Sequence, residues 1–251
     1  MTKPEDAAKK KADKKKKRDR GLFREYFELI AETAVFVFFV MTFVVQAFQI
    51  PTGSMEPTLL VGDFLLVNKL VYANTALPLE KTILPHRNLK RGDIVVFKYP
   101  NDLTKDYVKR VIGLPGETLE IRDKQVFINT KPLEERYKVH IYPEVYSRNG
   151  MSGSSTTTEY QLDNINRDNF GPVIVPAGHI FAMGDNRDNS SDSRYWGPLP
   201  LDNIKGRPWL IYFSYKADRN AHLRTSFGER VKKTVSFLPR ARWRRILKVV
   251  R

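Results

Sequence analysis

Two polar side chains stand where their surroundings could make them reactive. Ser54 lies in the short turn "PTGSMEPTL", residues 51–59. A serine hydroxyl is a weak nucleophile and attacks a carbonyl only when a neighbouring base takes its proton. The usual base is a histidine held by an aspartate. His86, His140, His179 and His222 are available, and His179 alone lies near a rich polar segment, so a Ser–His arrangement stays open. Lysine is the other base. Lys109 stands in "DYVKRVIGL", where strand alternation sets it on the face of Tyr107 and Val111. If that face is inward, the ammonium loses water and its pKa falls. At the ordinary value of about 10.4, about one lysine in 2,500 is neutral at pH 7; a fall to about 8 leaves roughly a tenth neutral, enough for a general base. The alternative is that Lys109 extends its head to water beside Arg110.

Other chemistries find less support. The chain has no cysteine, which removes disulfides, thiolate zinc sites and thiol catalysis. The histidines lack H-x-x-x-H spacing. Asp185, Asp188 and Asp192 fall in one Asp/Asn/Ser-rich loop that could suggest calcium, but the terminal Glu of an EF-hand is missing. No metal and no cofactor is expected.

The elements that would hold Ser54 and Lys109 are mostly strands. "DFLLVNKLVY", "GDIVVFKY", "DYVKRVIGL", "ETLEIRDKQVFIN", "PVIVPAGHIFAMGD" and "GRPWLIYFSY" are short β-rich runs broken by Gly, Pro, Asn and Asp. No long segment after residue 49 repeats a 3.6-residue period, so few helices are expected there. The predicted fold is all-β with one N-terminal transmembrane helix. That helix is read from residues 29–48, twenty positions with one charge, Glu32. At about 1.5 Å per residue they cross a hydrocarbon core of about 30 Å. The run ends in Gln46-Ala47-Phe48-Gln49, a poor cleavage site, which favours a retained anchor over a removed leader.

Charge supports this organisation. The net charge is +15, yet residues 1–24 hold 11 Lys/Arg against 4 Asp/Glu and residues 232–251 hold 8 Lys/Arg and no acid. The remainder has 24 of each sign and is neutral. A nucleic-acid binder carries its basic stripe on the folded domain, so no nucleic-acid partner is expected and the tails point to membrane lipid. The predicted parts are a disordered basic tail at 1–24, the membrane helix at 25–49, a β-rich core at 50–119 and 173–231, a β/loop subdomain at 120–172, and a basic segment at 232–251. In that last segment Trp243, Ile246, Leu247 and Val250 have helical spacing, so it reads either as an interfacial helix or as a stretch folded back on the domain.

Four ordered motifs, "PTGSMEPTLLVGD" (51–63), "RGDIVVFKYP" (91–100), "DYVKRVIGLPGE" (106–117) and "MGDNRDNSSDSRYWGPLP" (183–200), resemble those of the bacterial type I signal peptidases. The resemblance runs from the membrane helix to about residue 215. It implies a Ser/Lys serine endopeptidase that removes signal peptides from exported preproteins, with a catalytic domain of coiled antiparallel sheets. Ser54 then looks like the nucleophile and Lys109 the general base. By matching position, Ser190 orients the lysine amine, Asp192 and Arg194 form a supporting ion pair, and Asp185 opens the same turn. Thr52 matches the residue whose hydroxyl completes an oxyanion hole with the Ser54 N–H, and Gly53 is expected to let the backbone turn sharply before the nucleophile. Phe48, Ile50, Pro51, Met55, Leu59, Tyr107 and Val108 match the walls of pockets for small residues at −1 and −3, the Ala-x-Ala preference. The resemblance also implies a single-pass protein of the bacterial inner membrane, with a cytoplasmic N-terminus, an extracytoplasmic catalytic domain and work near the export channel. A related processing protease with one dedicated substrate, and a non-catalytic membrane-anchored binding module, are the competing readings.

Overall fold

The computed structural model describes residues 24–72, 87–146, 166–216 and 240–250. The basic tail expected at 1–24 lies, apart from Arg24, outside the described residues. So do the polar stretch 147–165 and residues 217–239. The chain divides into two units, Met1–Val45 and Gln46–Arg251.

In the first unit the helix Arg24–Val44 has 21 residues and none of its apolar window is buried within the protein. At about 1.5 Å per residue it is about 31 Å long, the thickness of a bilayer core. Phe and Val face outward all round it, with Val35 70% and Phe38 71% exposed. Its last turn widens to a π turn, Val40–Val44. The helix stops short of the expected end at 48: Val45–Gln49 is a strand, β1. The β-branched Val44 and Val45 favour extended backbone at that point.

The second unit holds two antiparallel sheets. Its further strands are β2 (Asp63–Asn68), β3 (Ile94–Tyr99), β4 (Asp102–Gly113), β5 (Thr118–Arg122), β6 (Gln125–Ile128), β7 (Lys131–Pro132), β8 (Phe170–Ile174), β9 (His179–Met183), β10 (Leu199–Pro200), β11 (Ile204–Ser214) and β12 (Lys248–Val249). The larger sheet runs β1-β2-β11-β3-β4-β9-β10, with β12 added to β11, and the smaller runs β7-β6-β5-β8. Every run read as β-rich forms strand, but "ETLEIRDKQVFIN" is broken by a turn into β5 and β6, and "PVIVPAGHIFAMGD" is divided between β8 and β9. Register shifts in β11 after Pro208 and Ile211 mark bulges, which sharpen local twist and give proline a place in a sheet.

β4 is the spine of this unit. From Val108 to Gly113 it is buried on both faces. Val108 packs with Ile50, Met55, Leu59 and Ile94, while Val111 packs with Val95, Phe97 and Leu199. Ile112 reaches the core of the smaller sheet, with Leu119, Val126 and Phe181. Each such side chain contributes about 1.5–3 kcal/mol on burial, so the strand cannot shift without losing three cores. It carries two charges into that interior, Lys109 and Arg110, each 4% exposed.

The C-terminal segment folds back on the domain and is not a helix. Trp243–Arg245 is a single 3₁₀ turn, Leu247 takes φ 61°, and Val250 is buried beside Ile50 and Met55. Arg245 donates to Asp63 Oδ2 at 2.6 Å and to the Thr58 carbonyl at 2.9 Å.

Candidate active site

Ser54 sits in a 3₁₀ turn, Gly53–Met55, between β1 and β2. Asn186 fixes that turn from the opposite loop: its backbone N–H donates to the Ser54 carbonyl at 3.1 Å and its side-chain amide to the Gly53 carbonyl at 3.3 Å. Gly53 does not take a positive φ, so the expected sharp backbone turn is not its reason. A Cβ there would stand 3.1 Å from the carboxyl carbon of Glu56, the far end of a flexible side chain that would have to shift.

Lys109 reaches the same point from β4. Its Nζ is hydrogen-bonded to Ser54 Oγ at 2.7 Å. The inward face expected from alternation is the one it takes, 5.5 Å from the Tyr107 ring centre. Burial pushes its pKa down from 10.5 to about 8; Asp192 and Asp185 pull it back up and Arg194 pushes it further down. The ammonium pays for desolvation without a carboxylate bonded to it, which is the condition for a lysine that can be neutral near neutral pH. His179, the other candidate base, lies at the start of β9, pairs with Pro200 and turns Nδ1 to the Ala177 carbonyl at 3.0 Å. It is not part of the site.

The loop Gly184–Arg194 closes over the pair. Arg194 grips Asp192 with two parallel bonds of 2.9 Å, both side chains fully buried. Burial alone pushes the Asp192 carboxyl up, but the Arg194 charge and the Gly184 N–H outweigh it and hold the carboxyl below the ordinary aspartate value. Asp185 is held by a matching fork, Arg110 Nε to Oδ1 at 2.8 Å and Nη2 to Oδ2 at 2.7 Å, and accepts Thr58 Oγ1 at 2.5 Å. Ser190 Oγ is buried with no hydrogen bond of normal geometry, yet lies near enough to Asp192 to lower its carboxyl. Gly184 backs both: a Cβ there would come within 2.3 Å of Ser190 Oγ and 2.5 Å of the Ser54 carbonyl oxygen. The three loop aspartates turn to separate partners, and among the described residues no three His, Asp or Glu side chains converge as metal ligands.

A cleft of about 280 Å³ opens over Ser54 and Lys109, lined among others by Phe48, Ile50, Pro51, Thr52, Met55, Tyr107, Val108 and Ser190. Leu59 is fully buried beneath it in the core with Met55 and does not line it. Asp106, Asn189 and Ser191 line it and were not singled out from the sequence. Arg110 and Asn186 were missed too. For Arg110 the signal was present, a charge inside a run apolar on both faces. The Asn186 contact spans 133 positions and leaves no local trace.

Residues 23–213 match the profile of the family described as "Signal peptidase, peptidase S26". The chain belongs to the signal peptidase family. It is 35% identical over 222 residues to a signal peptidase I of Pseudomonas fluorescens, covering 80% of this chain and 76% of that one. It is 37% identical over 218 residues to one from Aquifex aeolicus, covering 72% and 80%. A solved signal peptidase I from Enterococcus faecalis is 32% identical with a TM-score of 0.34, over 48% of this chain and 97% of that one. As a signal peptidase the chain is a serine endopeptidase whose substrates are preproteins bearing signal peptides. The expected family, the antiparallel β fold and the apolar N-terminal helix are borne out, and that helix fits a membrane anchor.

Proposed function

We propose that Ser54 and Lys109 are the catalytic dyad of this signal peptidase. The 2.7 Å contact between Nζ and Oγ, at a lysine whose pKa is about 8, carries this reading. Neutral Lys109 accepts the Ser54 proton as Oγ attacks the peptide carbonyl. The resulting ammonium gives that proton to the leaving amine of the mature protein. Lys109 then takes a proton from water as the water attacks the acyl-enzyme, and returns it to Oγ when the signal peptide leaves. The Ser54 N–H, at the open start of a 3₁₀ turn, and the Thr52 hydroxyl at the cleft stabilise the oxyanion; one such donor is worth about 10²–10³ in rate. Ser190 helps hold the lysine amine, while Asp192–Arg194 and Asp185–Arg110 fix the loop around it.

The apolar wall formed by Phe48, Ile50, Pro51, Met55, Tyr107 and Val108 accepts small side chains at −1 and −3 of a substrate bound as an added strand. The basic N-terminal tail keeps its side of the helix cytoplasmic by the positive-inside rule, so the catalytic unit works outside, at the lipid surface near the export channel. Cleavage of a model preprotein with an Ala-x-Ala site tests the assignment. The parent should release a mature product with the correct N-terminus, and Ser54→Ala and Lys109→Ala should release none. Substantial cleavage by Lys109→Ala would move the base elsewhere.

A further inference from the structure

The segment after β7, residues 133–142, leaves the smaller sheet and lies along the loop that backs Ser54 and Lys109. Its contacts recur at every second residue. The Glu135 carboxylate takes the Arg187 guanidinium in a fork, Nη1 to Oε2 at 2.9 Å and Nη2 to Oε1. The Arg187 side chain is 2% exposed and that of Glu135 is 0% exposed. Arg187 Nε then donates to the Gly184 carbonyl at 3.1 Å. The Tyr137 hydroxyl donates to Glu135 Oε1 at 3.0 Å, and its ring stacks 4.0 Å from the guanidinium of Arg110, the residue that holds Asp185. Val139 forms a parallel bridge with Asn186, donating to the Asp185 carbonyl at 2.8 Å and accepting from Arg187 N at 3.0 Å. Asp188 Oδ2 receives the N–H groups of Ile141 at 2.7 Å and Tyr142 at 2.8 Å, and Oδ1 faces His140 Nδ1 at 3.0 Å.

Each residue from Asp185 to Asp188 is therefore engaged by this one segment, and Gly184 is reached through Arg187. We infer that residues 133–142 are a positioning strap for the dyad, and that Glu135, acting through Arg187, is its positioning residue. The inference rests on the Ser54/Lys109 reading. A buried ion pair is weak evidence for stability, because desolvation offsets most of its Coulomb energy and an apolar pair holds two segments together as well. A forked, directional pair adds register. Register matters here because Gly184 has no slack against Ser190 Oγ and the Ser54 carbonyl, and because Asn186 holds the nucleophile turn. A slip of the loop along the strap moves Ser54 relative to Lys109. The smaller sheet, which carries no dyad residue, thereby takes part in the reaction geometry.

The test uses the full chain in detergent micelles and a model preprotein. Glu135→Ala should lower kcat about 10- to 100-fold, the cost of misplacing reacting groups by about 1 Å. KM should stay near the parent value, and the acid limb of the kcat–pH profile should move. Glu135→Asp should recover part of both. A folded Glu135→Ala that loses thermal stability but keeps the parental kcat and pH profile would overturn the inference, since a purely structural strap predicts that pattern. Should Glu135→Ala not fold, Tyr137→Leu decides, because it leaves the ion pair and removes the ring under Arg110. Reduced kcat there supports the strap and full kcat overturns it. Ser54→Ala in the same assay separates the two readings. Residual cleavage by it overturns the dyad and the inference together, whereas an inert Ser54→Ala beside a fully active Glu135→Ala overturns the strap alone.

Discussion

Lys109→Met should leave the protein inert and, at neutral pH, more stable. In the fold the lysine pKa lies at about 8 against 10.5 for the free group, which at about 1.4 kcal/mol per pH unit is a penalty of about 3 kcal/mol. The sign follows from proton counts. Between about pH 8 and 10.5 the unfolded chain binds the proton and the folded chain does not, so parent stability climbs with pH through that window. Below it both states are protonated and the penalty is fully present. Methionine keeps the apolar stem, removes the charge and gives up one hydrogen bond to Ser54, about 1 kcal/mol. The net gain at pH 7 is about 2 kcal/mol, or about 4–8 °C for a unit of this size. By pH 10 less than about 1 kcal/mol of the penalty is left, and the lost hydrogen bond cancels it. Thermal unfolding of parent and variant at pH 7 and pH 10, followed by β-sheet circular dichroism in one detergent, measures both differences. A variant less stable than the parent at pH 7 would refute the reasoning, as would a gain that is the same at both pH values. In the parent, kcat/KM should rise about tenfold per pH unit up to about pH 8 and then level off.

Gly184→Ala drives a Cβ into Ser190 Oγ and the Ser54 carbonyl, so kcat should fall at least about tenfold with KM near the parent value, read from initial rates. Arg110→Met leaves Asp185 buried and unpaired and should cost about 3–5 kcal/mol by denaturant midpoint; pairing it with Asp185→Leu should recover much of the loss. Phe48→Ala opens the cleft wall, and the kcat/KM ratio for Ala against Leu at −3 or −1 should fall about tenfold or more. An unchanged ratio would assign the pocket to other side chains.

Much of this unit was legible in the sequence because its information is local. Period-two alternation identified β2, β3, β4 and β11 and gave the face of Lys109. The helix ends before the expected 48; Val45, Ala47 and Phe48 continue the apolar run, and their composition does not tell a last turn from a first strand. The C-terminal segment showed helical spacing, yet Val250 enters the core and strand pairing with β11 took the backbone instead. Buried charges were the hardest to foresee. Arg110, Glu135 and Arg187 were not singled out from the sequence. Their partners lie 75 and 52 positions away, and a sequence alone does not say which distant opposite charge will neutralise a buried one.

The link between Asp63 and Arg245 has a consequence for how the protein comes into being. Asp63 opens the first strand after the nucleophile turn and is wholly buried, while Arg245 lies 182 positions later. A growing chain that has reached only residue 239 holds that carboxylate inside an unfinished sheet without the guanidinium that balances it, and with the Thr58 carbonyl unclaimed. A chain cut short of Arg245 should therefore unfold more readily and cleave more slowly than the full chain, because Asp63 keeps only the Ser214 hydroxyl and the Leu60 N–H.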